Sequence, residues 1–308
     1  MGVQNQPFLA AKQWQAQISY QYADTDDFYV GDQRNDAAGP QGQPPRRRVH
    51  LLNLDVAYAL SNRISLDLTV PYSSGTGGTV QGDLQFHEYN TSGLGDVSLR
   101  GEYLLSDPTK LSRVTGSVGL GVQAPTGSDS VKGEFYSPTG TVVRPIGESL
   151  QLGNGGWGIL LFAQGSAQIV GPLFAYGSGY YGLSLNERTD VVEGGAFRGV
   201  PDTYSGRLGA AYLLPVLQGV VVSVGGRING VTVRDVVGGG DLHFRRPGYE
   251  VYVEPGLTWT LKSNSASVSF PIRAYQNKLD SLLDRSLNRR MGANFAPYLI
   301  LASYARRF

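Results

Sequence analysis

The chain contains no cysteine, only two methionines and only three histidines in 308 residues. Without cysteine there is neither a disulfide framework nor a thiolate metal set. The histidines, His50, His87 and His243, are far apart and lack the paired spacing of a metal site, so neither metal nor cofactor is expected. Charge of one sign is also scarce: 26 basic against 25 acidic residues leave a net +1, which excludes the concentrated basic surface of a nucleic-acid binder. No stretch approaches the roughly 18 apolar residues of a spanning helix, so a helical membrane protein is excluded. The opening Met1-Gly2-Val3-Gln4 lacks the basic end and apolar core of a secretory signal, and the chain reads as a mature form without a lipid anchor.

What is abundant is glycine, 42 residues, and tyrosine, 18, at a mean hydropathy of −0.17. A membrane barrel fits such an average, because its strands need apolar residues only at alternate positions. That alternation runs through the chain. Leu52, Leu54, Val56, Tyr58 and Leu60 share one parity; Ile64, Leu66, Leu68, Val70 and Tyr72 continue it beyond the hairpin position Ser61-Asn62. Strands are expected at about 14–22, 94–105, 114–124, 157–170, 173–186, 203–214 and 219–233 besides these two. Three more follow: around Tyr249 to Trp259, around Ala266 to Ile272, and from Asn294 to Phe308. The count is twelve. Strands six and seven carry Gly, Ala, Phe and Tyr on both parities, so their facing is undetermined.

The connections separate a membrane barrel from a soluble β-protein. Long ones (23–48, 73–93, 125–156, 187–202, 234–248 and 277–293) alternate with short ones (61–62, 106–113, 171–172, 215–218 and 262–265). An up-and-down barrel with both termini on the periplasmic side must alternate in this way, with long extracellular loops. Aromatics crowd the strand ends on the apolar parity. Tyr58, Tyr103, Tyr212, Trp259, Tyr304 and Phe308 stand at the short-turn ends; Tyr72, Trp157, Tyr204, Tyr249 and Tyr298 stand at the long-loop ends. The expected fold is therefore all-β: one transmembrane antiparallel barrel over 1–308, with 1–13 a short periplasmic segment, in a bacterial outer membrane.

No Gly-x-Ser-x-Gly elbow and no barrel-phospholipase histidine run is present, so no catalytic residue is expected and the chain reads as a non-enzyme. The glycine clusters at 75–78, 153–158 and 238–240 lack the following helix of a phosphate cradle and read as flexible loops. Pro44-Pro45-Arg46-Arg47-Arg48 reads as a solvated loop base near lipid phosphates. The inward parity is charged with both signs. Arg63, Arg100, Arg207, Arg227 and Arg273 stand against Asp55, Asp67, Asp96, Glu102, Glu250 and Glu254. Such a lining either orients solutes in a polar conduit or fills a closed interior with ion pairs. Leu279, Leu282, Leu283 and Leu287 have helical spacing in the last long loop; this amphipathic helix either constricts the mouth or caps it from outside.

Two stretches, Gly93-Leu94-Gly95-Asp96-Val97-Ser98-Leu99-Arg100 with Tyr103, and Gly119-Leu120-Gly121-Val122-Gln123-Ala124-Pro125-Thr126-Gly127, cover about a tenth of the chain. They resemble the outer-membrane family associated with the MetA pathway of phenol degradation. The resemblance implies a barrel that passes small, often aromatic or apolar, compounds, and it implies no catalytic residues. The expected partners are small-molecule solutes and the surrounding lipid and lipopolysaccharide, with the barrel a monomer. A lipid-modifying barrel enzyme and a closed structural or adhesion barrel are the alternatives.

Overall fold

A strand whose alternate side chains are apolar must turn that parity to a packed interior or to lipid, and in a closed sheet whose charged parity faces inward only lipid is left. The computed structural model describes residues 9–35, 43–106, 112–237 and 242–308, and its main sheet closes in this way. The strands are β1 (Trp14–Thr25), β2 (Arg46–Ala59), β3 (Ile64–Val80), β4 (Phe86–Leu94 and Ser98–Leu104), β5 (Val114–Gln123) and β6 (Gly158–Val170). They continue as β7 (Leu173–Ser184), β8 (Thr203–Leu213), β9 (Val220–Val231), β10 (Gly248–Leu261), β11 (Asn264–Ser269 and Ile272–Lys278) and β12 (Leu299–Arg307). Each pairs antiparallel with its sequence neighbours, and β12 pairs back onto β1 in a register running from Gln15↔Arg307 to Ala23↔Leu299. The broken strands β4 and β11 interrupt their ladders at Gly95-Asp96-Val97 and at the buried Pro271, a residue that cannot donate to the ladder.

The expected alternation holds on the outside. Trp14, Ile18, Leu52, Leu54, Leu66, Leu68, Leu120, Val122, Leu257 and Val268 are exposed, although all are apolar strand residues. On β10 the outward row runs from Tyr249 to Trp259. Ten steps of about 3.3 Å tilted by about 40° span roughly 25 Å, the height of a barrel's apolar band. Aromatic side chains mark both rims, including the Trp14–Tyr58 pair with ring centroids 4.4 Å apart. Residues 9–13 lie at the short-turn end, where Lys12 N–H donates to the Ala59 carbonyl; residues 1–8 of the expected periplasmic segment fall outside the described residues.

Several expectations change. Residues 73–93 do not form a loop: β3 and the upper part of β4 pair from Tyr72↔Leu94 to Val80↔Phe86, leaving only 81–85 as the turn. Gly75, Gly77 and Gly78 are therefore strand residues, not flexible loop. Their missing side chains leave space for Leu150, Tyr89 and Phe86, whose atoms lie within 2.4–2.6 Å of where a Cβ would stand. Arg46, Arg47 and Arg48 likewise belong to β2. The last strand begins at Leu299, not Asn294, because 279–298 is a folded loop.

Candidate functional site

The register decides what faces inward. On β6 and β7, whose facing the sequence left open, Leu161 pairs with Leu120 and Tyr181, which puts these on the lipid side. Phe162, Phe174, Tyr176 and Tyr180 therefore point into the barrel. Glycines on the same or neighbouring strands receive three of these side chains, Phe162, Tyr176 and Tyr180. A Cβ at Gly119 would stand 1.8 Å from Phe162 Cζ, one at Gly209 or Gly225 2.6 Å from the Tyr176 hydroxyl, and one at Gly182 2.6 Å from the Tyr180 hydroxyl. These three rings thus lie along the wall and not across the lumen.

The predicted charged residues sort into three groups. On β2 to β4, Asp55 accepts from Thr69 Oγ1 at 2.6 Å and Gln17 Nε2 at 3.4 Å. Beside it Asp67 pairs with Arg100 at 2.9 Å, and Glu102 accepts from Gln164 at 2.9 Å. Half the ring away, Arg207 and Arg227 grip one carboxylate, Glu254, each through Nε and Nη2 at 2.6–3.2 Å, and Ser269 donates to it at 2.9 Å. Glu254 is almost fully buried behind the two arginines. In the third group, Arg273 on β11 donates to Asp27 at 2.6 Å, to Tyr29 Oη at 2.9 Å and to the Phe295 carbonyl at 2.6 Å. Glu250 faces inward on the neighbouring β10, at the same parity as Glu254.

Two predicted members are placed differently. Arg63 is not a lumen residue. It sits in the β2–β3 turn, and its guanidinium reaches the Tyr103 hydroxyl at 3.4 Å, at the lipid-side rim. Asp96 sits inside but works as an anchor. Its Oδ1 accepts from Gly127 N at 2.9 Å, and its Oδ2 accepts from Asn154 N at 2.8 Å and from Gln123 Nε2 at 3.2 Å. Thr126 Oγ1 donates to the Gly95 carbonyl and accepts from Val97 N. The two short stretches that carry the family resemblance thus fold against one another. Together they tie the long loop 124–157 into the barrel mouth.

That loop carries Leu150 onto the Gly75–Gly77 recess and a hairpin, Lys132–Ser137 with Gly140–Pro145. Arg198, on the hairpin of the next loop, is 3% exposed and donates to the Asp129 and Ile146 carbonyls and to Glu193, which also takes Arg246 at 3.2 Å. Burial, against the pull of Arg246, pushes the Glu148 carboxyl above its ordinary value. In the last loop, the expected helix forms over Leu282–Ser286 and is capped reciprocally by Ser281 and Asp284. Burial works against the Asp284 charge, yet hydrogen bonds from Ser281 and Arg289 hold its carboxyl below the ordinary range. Of the four leucines, Leu283 is buried, Leu287 is exposed at the C-cap, and Leu279 precedes the helix. The part of the loop that packs on the inner wall comes later: Ala296 lies in one buried cluster with Tyr252 of β10 and with Leu299 and Leu301 of β12.

Among the described residues, three cavities follow one another along the inward space. The outermost, about 370 Å³, and the middle one, about 300 Å³, share Leu51, Pro71 and Asp96 as lining; the middle one and the lowest, about 510 Å³, share Arg100 and Tyr180. The histidines stand apart from them. His50 bonds Tyr20 on the lipid side, His87 bonds Asp83 beside the 81–85 turn, and His243 lies in the loop before β10. Among the described residues no group of three metal-binding side chains converges. The inward rings and the loop ion pairs escaped the sequence reading; the glycines opposite the rings were the available signal.

No protein-family model and no curated protein matches this sequence. Among solved structures, the chain resembles an outer membrane channel from Pseudomonas putida F1, at a TM-score of 0.63 and 16% identity over 100% of both chains. A Pseudomonas aeruginosa FadL homologue (TM-score 0.47, 9% identity, 96% of this chain and 90% of that one) also aligns. So does the P. putida toluene transporter TodX (0.45, 9%, 98% and 91%). These last two scores are too low to bear on function. The first likeness and the outward apolar band establish a bacterial outer-membrane β-barrel.

Proposed function

We propose that the barrel is a passive channel for small molecules, aromatic or apolar compounds among them. It acts as a monomer among outer-membrane lipid and lipopolysaccharide, without catalysis. The observation that carries this reading is the continuity of the three cavities through shared lining residues. The charges support a selective path. One wall holds Asp55, Asp67 and Glu102 against Arg100; the opposite wall holds Arg207 and Arg227 against Glu254. Summed, the first side carries two negative charges and the second one positive charge. A transverse field of this kind aligns dipolar solutes as they pass. The family resemblance of the 93–103 and 119–127 stretches points to the same class of solute.

Purified protein in a planar lipid bilayer is expected to show discrete current steps that scale with salt concentration. Absence of current over many insertions, with the barrel shown folded by its heat-modifiable gel mobility, contradicts an open path.

A further inference from the structure

We infer that the lowest cavity is a binding station for aromatic carboxylates, solutes of the benzoate class. This rests on the channel reading for access but names the solute's chemistry from the wall itself. Four rings from two adjacent strands, Phe162, Phe174, Tyr176 and Tyr180, line one side of the cavity. Because glycines receive the outer ends of Phe162, Tyr176 and Tyr180, these three rings lie along the wall and leave a space of about 510 Å³ beside them. A flat apolar ring fills such a space at the expense of water, and ring-on-ring contact adds to the area it buries.

The same cavity sets guanidinium groups next to those rings. Arg100 Cζ stands 5.3 Å from the Phe162 ring centroid and Arg207 Cζ 5.7 Å from that of Tyr176. Arg207, Arg227 and Glu254 sum to one positive charge on their side, where the arginines line the cavity and Glu254 sits behind them. Across the cavity Asp67 is paired with Arg100 and Glu102 accepts from Gln164, so the positive side is the one open to a solute carboxylate. Arg100 also keeps a buried Nε without a hydrogen-bond partner. A carboxylate is the planar acceptor that guanidinium donors match. A ligand that joins a ring to a carboxylate satisfies both walls at once. A neutral arene meets only the rings, and an aliphatic acid meets only the arginines.

The test is equilibrium binding to the detergent-solubilised full chain, read by saturation-transfer NMR with benzoate, cyclohexanecarboxylate and benzyl alcohol. Saturable benzoate binding is expected, at least about fivefold tighter than either analogue. Tyr176→Leu and Phe162→Leu should each weaken benzoate about fivefold while leaving cyclohexanecarboxylate unchanged. Arg207→Gln should weaken both acids and leave benzyl alcohol alone, and His87→Ala, on the extracellular hairpin, should alter nothing. Equal affinity for the three ligands, or no saturable benzoate binding, overturns the assignment. Binding of benzoate by a protein that passes no current sinks the channel reading and leaves the station standing; current without benzoate preference does the reverse.

Discussion

Replacing Gly119 by valine should cut single-channel conductance by at least about twofold, with little change in the outer surface of the barrel. The reason is steric. The new Cβ would meet Phe162 Cζ at 1.8 Å, a distance no pair of non-bonded carbons tolerates, so the ring must leave the wall. Lipid closes off the other face, and the only free volume is the lumen. Because Gly119 and Phe162 are directly paired across β5 and β6, the ring cannot avoid the clash by a small slide. The double variant Gly119→Val with Phe162→Ala removes the displaced ring and should restore conductance to the original level or above. An unchanged current in the single variant, or no recovery in the double, contradicts the idea that glycine recesses keep the path open.

The second large effect concerns stability. Glu254→Gln takes the shared carboxylate from Arg207 and Arg227, whose side chains are 7% and 6% exposed. Removing one partner of a buried ion pair costs about 3–5 kcal/mol, and the water-facing cavity beside the arginines places this case near the lower end. Unfolding by urea in lipid vesicles should therefore shift by about 3 kcal/mol. Substituting all three residues together by methionine removes the charges along with their desolvation cost, so that variant should recover most of the loss. If Glu254→Gln unfolds with the wild-type midpoint, the triad contributes nothing to holding β8, β9 and β10 together.

Most of the strand plan could be read from the chain because the lipid demands it. Leu52 to Tyr58 and Ile64 to Tyr72 must be apolar at every second position wherever acyl chains touch them. Above the bilayer that demand ends. Ser73 to Val80 pair with β4 as regularly as the membrane part, yet with serine, threonine and glycine on both faces, and so pass for a loop. β6 and β7 were ambiguous for a different reason: inward rings resting on neighbouring glycines look, in one dimension, like outward girdle residues. Parity alone put Asp55, Asp67, Arg100, Glu102, Arg207, Arg227, Glu250, Glu254 and Arg273 on the inner side. It misplaced Arg63, because a residue in a two-strand turn has no parity to follow. It also could not foresee that Asp96, at a break in the ladder, spends its acceptors on the backbone of a loop 31 and 58 residues further on. The ion triad on Glu254 joins three consecutive strands, and its convergence depends on their mutual register, which pairs Arg207 with Arg227 and sets Glu254 opposite Gly225 and is not carried by the parity of any one strand.

The chain's lack of cysteine permits a direct test of which side chains face water inside the barrel. Asn53 and Thr69 line the middle cavity, while Leu54 and Leu68 next to them point outward. In protein reconstituted into lipid vesicles, Asn53→Cys and Thr69→Cys should react with a charged, water-soluble thiol reagent, and Leu54→Cys and Leu68→Cys should not. Reaction at the two leucine positions with protection at the other two would turn the barrel inside out and contradict the account.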